Sequence, residues 1–189
     1  QFEDEHTTAR QTIPAPSQFL AELFREDNGT VTRSFYPDLE ELIQDIAAAY
    51  RQVIKDLYDA GCRNIQFDDC TWGMCCYWTG RQKDKSVTIE GETAKYLRVN
   101  NLALEGRPQD LAFTTHVCRG NYNSTWAASG GYEPVAPILF AKENVDAYYL
   151  EFDDERSGGF EPLREVSPNK KVVLGLITTK RPELEDKEV

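Results

Sequence analysis

The sequence predicts an α/β protein with parallel strands, most simply a (β/α)8 barrel of the TIM type. Three observations carry this. Short β-like runs alternate with amphipathic helical stretches, and strands joined through helices lie parallel with right-handed crossovers. The runs are mostly apolar, as in strands covered on both faces. Polar residues collect where the runs end: Asp68 and Asp69, then His116 and Cys118, then Glu151 and Asp153, then Thr178, Thr179 and Lys180. In a parallel sheet all of these ends point one way, and a barrel draws its chemistry from them. A doubly wound sheet is the alternative, but its dinucleotide-binding form loses support because no G-x-G-x-x-G follows any run.

The first run is "RQTIPAPS", read as a short strand. It precedes the clearest element, the helix "YPDLEELIQDIAAAYRQVIKDLYDAG". There Leu39, Leu42, Ile43, Ile46, Tyr50, Val53, Ile54 and Leu57 recur at three- and four-residue steps and make one apolar stripe. Asp38 with Glu41 reads as a capping box, and Gly61 suits a left-handed stop. "CRNIQFDD" follows as a strand, "GETAKYLRVNNLALEG" as a helix, "DLAFTTHVC" as a strand. "GYEPVAPILFAKENV" reads as a helix with Pro134 in its first turn. "DAYYLEF" and "KVVLGLITT" are strands by their β-branched and aromatic content. The connection from Glu151 to Lys171 reads as irregular with at most a short helix, and a last helix is expected to begin near Pro182. The stretch from Gly73 to Gly91 reads either as a lid over the mouth of the sheet or as a disordered loop.

Charge and composition narrow the function classes. The 189 residues can bury a core as one domain, and the net charge of −11 argues against a nucleic-acid surface. No apolar run approaches the roughly 18–20 residues that cross a bilayer, and Gln1 to Arg10 is too polar for a secretory signal. Five cysteines, an odd number, in such a chain read as reduced thiols in a cytoplasm.

Each candidate residue has an ordinary reading beside the functional one. A strand-end aspartate is often only a helix cap. His-x-Cys alone is a weak signal, Arg156 beside Glu151 and Asp153 could make a surface ion pair of little consequence, and Lys180 could be a solvated side chain. Their joint occurrence raises the functional reading. A histidine nitrogen, a cysteine sulfur and a carboxylate on adjacent strand ends suit zinc, whose tetrahedral sites accept all three, whereas magnesium avoids sulfur.

The motifs "IQFDD", "THVCRGNY", "YYLEFDDERSG" and "VVLGLITTK" resemble, in that order, strand-end motifs of the cobalamin-independent methionine synthase family. The resemblance runs from about Thr12 to Glu185 and is nearest to short bacterial relatives that match the family's catalytic C-terminal domain. It implies a (β/α)8 barrel that transfers a methyl group from 5-methyltetrahydrofolate to homocysteine, with zinc (Zn2+) activating the thiol. It places the zinc ligands on His116, Cys118 and Glu151, and the group that holds the substrate's ammonium on Asp68. Asp69, Asn121 and Asp153 join Asp68 as candidate substrate contacts. Trp72 and Trp126 are candidate stacking surfaces for a pterin ring, although core aromatics would look the same in sequence.

Two departures from the family pattern qualify what it implies. The family's second cysteine ligand lies in a Cys-Gly motif beyond Val189, and Lys180 stands where the synthases carry a histidine that acts in proton transfer. The early barrel strands are also missing, so residues 1–189 are expected to form one catalytic-type barrel domain, incomplete at both ends, with about five strand-helix units. Open edges would then invite association with another copy, and the chain alone is expected to hold zinc weakly and turn over little. Three rivals remain: a zinc thiol-alkyltransferase with a different thiol or methyl donor, a metal-free decarboxylase barrel of the uroporphyrinogen type, and a folate- or thiol-binding relative without catalysis.

Overall fold

The computed structural model describes residues 4, 6–77 and 88–185. The chain opens with β1 (Gln11–Pro14), α1 (Pro16–Leu23), α2 (Asn28–Phe35) and α3 (Leu39–Asp59). It continues through β2 (Asn64–Asp69), α4 (Cys70–Cys76), α5 (Ile89–Ala103), β3 (Ala112–Val117), α6 (Ala136–Lys142), β4 (Ala147–Glu151) and β5 (Lys171–Gly175). All five strands are parallel and lie in one sheet in the order β1-β2-β3-β4-β5. That order decides between the two parallel architectures. A doubly wound sheet reverses direction at a switch point, whereas each strand here lies beside its successor, as around a barrel. The sheet is an arc of a (β/α)8 barrel.

The helix that the sequence marks most strongly is α3. The Asp38 side chain caps it by accepting from the Glu40 backbone N–H at 2.9 Å, and Gly61 follows with φ of 102°, a left-handed value that glycine reaches at no steric cost. Leu42, Ile43, Ile46, Ala47 and Ile54 are buried, while Leu39 and Val53, at the margins of the stripe, are exposed. The buried face meets α5 and, through Ile54, the sheet core.

Strand alternation sorts the sheet into two chemistries. Ile65, Phe67, Phe113, Val117, Tyr148 and Leu150 point to the helix layer and are buried in one core with Trp72, Tyr132, Leu139 and Phe140. Burying a side chain of this size contributes about 1.5–3 kcal/mol, so this face fixes the register. The other face carries Gln66, Asp68, Thr114, His116, Tyr149 and Glu151, the inward face of the barrel arc. At the β5 edge Val173, Leu174, Leu176 and Ile177 are exposed.

Several boundaries differ from those the sequence suggests. The third expected helix is shorter: residues 133–135 form a turn, and α6 starts at Ala136 with Pro137, not Pro134, in its first turn. No helix begins among the described residues 181–185, and β5 ends at Gly175, short of Thr179. Between β4 and β5 there are only two 3-10 turns, Glu155–Ser157 and Glu161–Glu165. Helices α1, α2 and α4 are too short to leave a periodic signal. Of the stretch read as a lid or loop, Gly73–Cys76 belongs to α4, and residues 78–87 lie outside the described residues. Among the described residues no helix is long and apolar enough to cross a membrane.

Candidate metal centre

The inward face brings the expected donors together. His116 is the last but one residue of β3, Cys118 follows two positions on, and Glu151 ends β4. Because side chains alternate, residues two apart share a face. The ladder pairs His116 with Asp68 on one side and with Tyr149 on the other, two residues before Glu151. As a result one ligand atom each of His116, Cys118 and Glu151 lies within 4.8 Å of the others, and all three side chains are half-buried.

The immediate surroundings suit a cation. His116 Nδ1 is 3.2 Å from the Tyr149 carbonyl oxygen. A carbonyl can only accept, so this contact places the ring proton on Nδ1 and leaves Nε2 as the donor atom, the arrangement that metal-binding histidines adopt. Glu151 Oε2 is buried and accepts no hydrogen bond; Arg156 Nη2 stands 3.4 Å from it. The neighbouring Cys70 thiol and then the His116 ring hold the Cys118 thiol far below its usual value, at about 4. Burial opposes a charge on His116, but the Cys118 sulfur, the Tyr149 carbonyl and Glu151 outweigh it and raise its pKa. Burial and then the nearby Cys118 raise that of Glu151. A nitrogen, a sulfur and a carboxylate oxygen that accepts no hydrogen bond, converging in this way, form a donor set that zinc accepts.

Asp68 stands beside this cluster. Its Oδ1 accepts from Gln66 Nε2 at 2.9 Å, and Gln66 Oε1 in turn accepts from Arg10 Nη1 at 3.2 Å. Arg10 also donates to Asn64 Oδ1 at 3.1 Å and stacks over the Tyr149 ring at 4.4 Å. The sequence did not mark Gln66 and Arg10. Gln66 could have been found from its spacing, two residues before Asp68 and on the same face.

Two other expected contacts are corrected, those of Asp69 and Trp72. Asp69 cannot share the face of His116, because the strand alternation that turns Asp68 inward turns Asp69 outward. It is fully buried, caps α4 by accepting from Thr71, and receives Ser17 Oγ at 2.6 Å and Asn100 Nδ2 at 3.0 Å. Trp72 is likewise fully buried, with its ring edge-on to Tyr96 at 6.3 Å, because α4 turns it into the core and away from any stacking face. Asp153 is engaged by Arg156 Nη2 at 2.8 Å.

Arg156 forms no surface pair. Its side chain is 5% exposed and reaches Glu151, Asp153 and Asp154 together. Its guanidinium also sits 5.1 Å over the ring of Trp126, which is 46% exposed and is linked to Glu151 through Arg156. Asn121 donates to Thr179 Oγ1 at 3.1 Å. The hydrogen bonds of Lys180 go to Thr178 and Thr179, and none joins it to the cluster.

Tyr132 fixes the end of β4. Its hydroxyl accepts from the Glu151 N–H at 3.1 Å and lies 3.2 Å from the Glu151 carbonyl oxygen.

Comparison with known proteins agrees with this geometry. The chain is 44% identical over 187 residues to "Uncharacterized protein YxjH" of Bacillus subtilis, covering 97% of this chain and 48% of that protein. It is 39% identical over 183 residues to "Uncharacterized protein YxjG" of the same organism, covering 95% and 47%. The chain thus spans about half the length of the curated relatives it matches. The crystal structure of the "Putative Vitamin-B12 Independent Methionine Synthase" from Listeria monocytogenes superposes with a TM-score of 0.71 at 34% identity, covering 97% of this chain and 50% of that one. The family model described as "Cobalamin-independent synthase, Catalytic domain" matches residues 20–189. With so much of the chain matched, and with the barrel arc and its donor cluster in place, the chain belongs to the cobalamin-independent synthase catalytic-domain family.

Proposed function

We propose that this chain carries the metal half of a zinc-dependent S-methyltransferase site, which moves a methyl group from a 5-methyltetrahydrofolate-type donor to the sulfur of homocysteine or a related amino thiol. The observation that carries the reading is the convergence of His116, Cys118 and Glu151 within 4.8 Å, with Glu151 Oε2 left without a hydrogen bond.

His116 Nε2, Cys118 Sγ and a Glu151 oxygen would hold the metal. Zinc, when bound, supplies a thiolate at neutral pH, where a free alkyl thiol is mostly protonated. The remaining work falls to side chains of the chain itself. Asp68, one ladder step from His116, takes the substrate's ammonium in a charge-assisted hydrogen bond and aims its sulfur. Gln66 occupies Oδ1 of Asp68, which leaves Oδ2 for that ammonium. Arg156 holds Glu151 in place, and Trp126 offers a flat aromatic surface on the same side for a pterin ring.

A zinc thiol-alkyltransferase with a different thiol or donor is the second reading. It is favoured by Lys180 at the position where the synthases carry a histidine, with its hydrogen bonds confined to its neighbours. The experiment has two arms. Equilibrium dialysis should find one zinc per chain that is lost in Cys118→Ser. Methyl transfer to a panel of thiols, run on full-length YxjH and on its variants at the matching positions, should favour acceptors that carry an amino group. No zinc uptake by either protein would end both readings, and uptake with preference for an amino-free thiol would favour the second.

A further inference from the structure

Cys70 has no part in the donor set, yet it lies against it. The β2–β3 ladder pairs Asp68 with His116 and Asp69 with Val117, and the Cys118 N–H continues it by donating to the Asp69 carbonyl at 3.3 Å. One more step sets Cys70 opposite Cys118. Neighbouring strands lie about 4.8 Å apart, inside the roughly 4.4–6.8 Å between Cα atoms that a disulfide spans. Both side chains are half-buried and reduced, and the two thiols lie close enough that each shifts the other's pKa, that of Cys70 up and that of Cys118 down. Three other cysteines stand apart from this contact. Cys75 and Cys76 are buried and pack into the core, while the Cys62 thiol points to the Asn64 carbonyl at the start of β2.

We propose that Cys70 and Cys118 are a redox pair, a modification site in which oxidation by a hydroperoxide joins the two sulfurs. The steps balance. One sulfur attacks the terminal peroxide oxygen, breaking the O–O bond and forming a sulfenic acid, and hydrogen peroxide leaves as water. The other sulfur then displaces the sulfenic oxygen as a second water and closes the S–S bond. Two thiols lose two protons and two electrons, and the peroxide takes both. The link withdraws Cys118 from the donor set and leaves only His116 and Glu151, too few for a stable zinc site. That consequence rests on the zinc reading; the link itself does not.

The test treats the chain with equimolar hydrogen peroxide, with and without prior zinc, and maps peptides without reduction. The expected result is loss of two of the five thiols and a peptide joining Cys70 to Cys118 that dithiothreitol releases. The link should persist in the Cys75→Ser, Cys76→Ser double variant and vanish in Cys70→Ser. Zinc added first should protect both thiols. A link that forms equally fast with zinc present supports the pair and counts against the zinc reading alone. Oxidation of Cys118 to a sulfinic acid with Cys70 still a free thiol would overturn the proposal, as would linkage of Cys118 to Cys75 or Cys76.

Discussion

A side chain at Gly73 would collide with Cys118: a Cβ built on Gly73 falls 2.3 Å from the Cys118 carbonyl oxygen. Helix α4 therefore packs its backbone directly on the segment that carries the candidate metal donor Cys118. Glycine inside a helix ordinarily costs about 1 kcal/mol relative to alanine, so Gly73→Ala would stabilise a helix free of this contact. Here overlap with a backbone atom outweighs that gain, since forcing extra volume into packed structure costs about 1–3 kcal/mol. Gly73→Ala is expected to lower stability by that amount in denaturant unfolding and to weaken zinc binding by displacing Cys118. Unchanged stability together with unchanged zinc affinity would show that the two segments move apart freely.

The donor set makes a second prediction. Removing groups that only orient a ligand costs metal affinity about 10–100-fold, so removing a ligand should cost more than about 100-fold. His116→Ala, Cys118→Ser and Glu151→Gln are each expected to do so in competition with a chelating dye. Asp68→Asn should keep its zinc. If Glu151→Gln held zinc like the parent chain, the carboxylate would not be a ligand.

Gln66 anchors Asp68, and hydrogen bonds to charged groups contribute about 1.5–3 kcal/mol. Gln66→Leu, close in size, is therefore expected to weaken binding of an amino thiol to the zinc-loaded chain about tenfold. Binding of the same thiol without its amino group should not change. Equal losses for both ligands would mean that Gln66 supports the fold and not Asp68 in particular.

Glu143 supplies a pH dependence far from the donors. It is fully buried, and its Oε1 accepts from Asn100 Nδ2 at 2.9 Å. Burial, and next the charge of Asp69, push its pKa up to about 8. Lys170 and Tyr148 are further charged and titratable groups that interact with it. The sign follows from linkage. Between the ordinary carboxyl value and about 8 the folded state holds a proton that the unfolded state has lost, so stability is fully present at low pH and falls as pH rises through that window. Glu143→Gln should flatten that fall, by on the order of a few kcal/mol. Thermal unfolding of both proteins at about pH 5.5 and about pH 8.5 measures it. Parallel pH profiles would show that Glu143 is already ionised in the fold.

Much of the architecture was legible because it is local. The stripe of α3, its Asp38 cap and Gly61 stop, and the apolar runs of β2, β3 and β4 are written in residues three or two apart, and periodicity reports them directly. Strand ends that share a direction put His116, Cys118 and Glu151 among the polar residues expected on one face, and the resemblance to the methionine synthase family singles out those three. The short helices α1, α2 and α4 hold too few turns for a period to emerge, and the helix expected from residue 131 was cut short by a turn through Pro134.

What only the tertiary structure decided is which neighbour each polar side chain meets. Asp68 and Asp69 are adjacent in the sequence, and the sheet turns one onto the inward face of the arc and the other into a hydrogen-bond network with Ser17, Thr71 and Asn100. Trp72 and Trp126 are the same residue type; α4 buries the first completely and leaves the second 46% exposed under Arg156. Arg156 itself changes from a plausible surface cation to a buried hub for three carboxylates. Cys70 meets Cys118 across 48 positions of chain because the β2–β3 register carries one strand end past the other. Periodicity specifies which face a residue takes within its own element. Partners across elements are set by ladder register and by the core that holds it, and neither is encoded in any short window of the sequence.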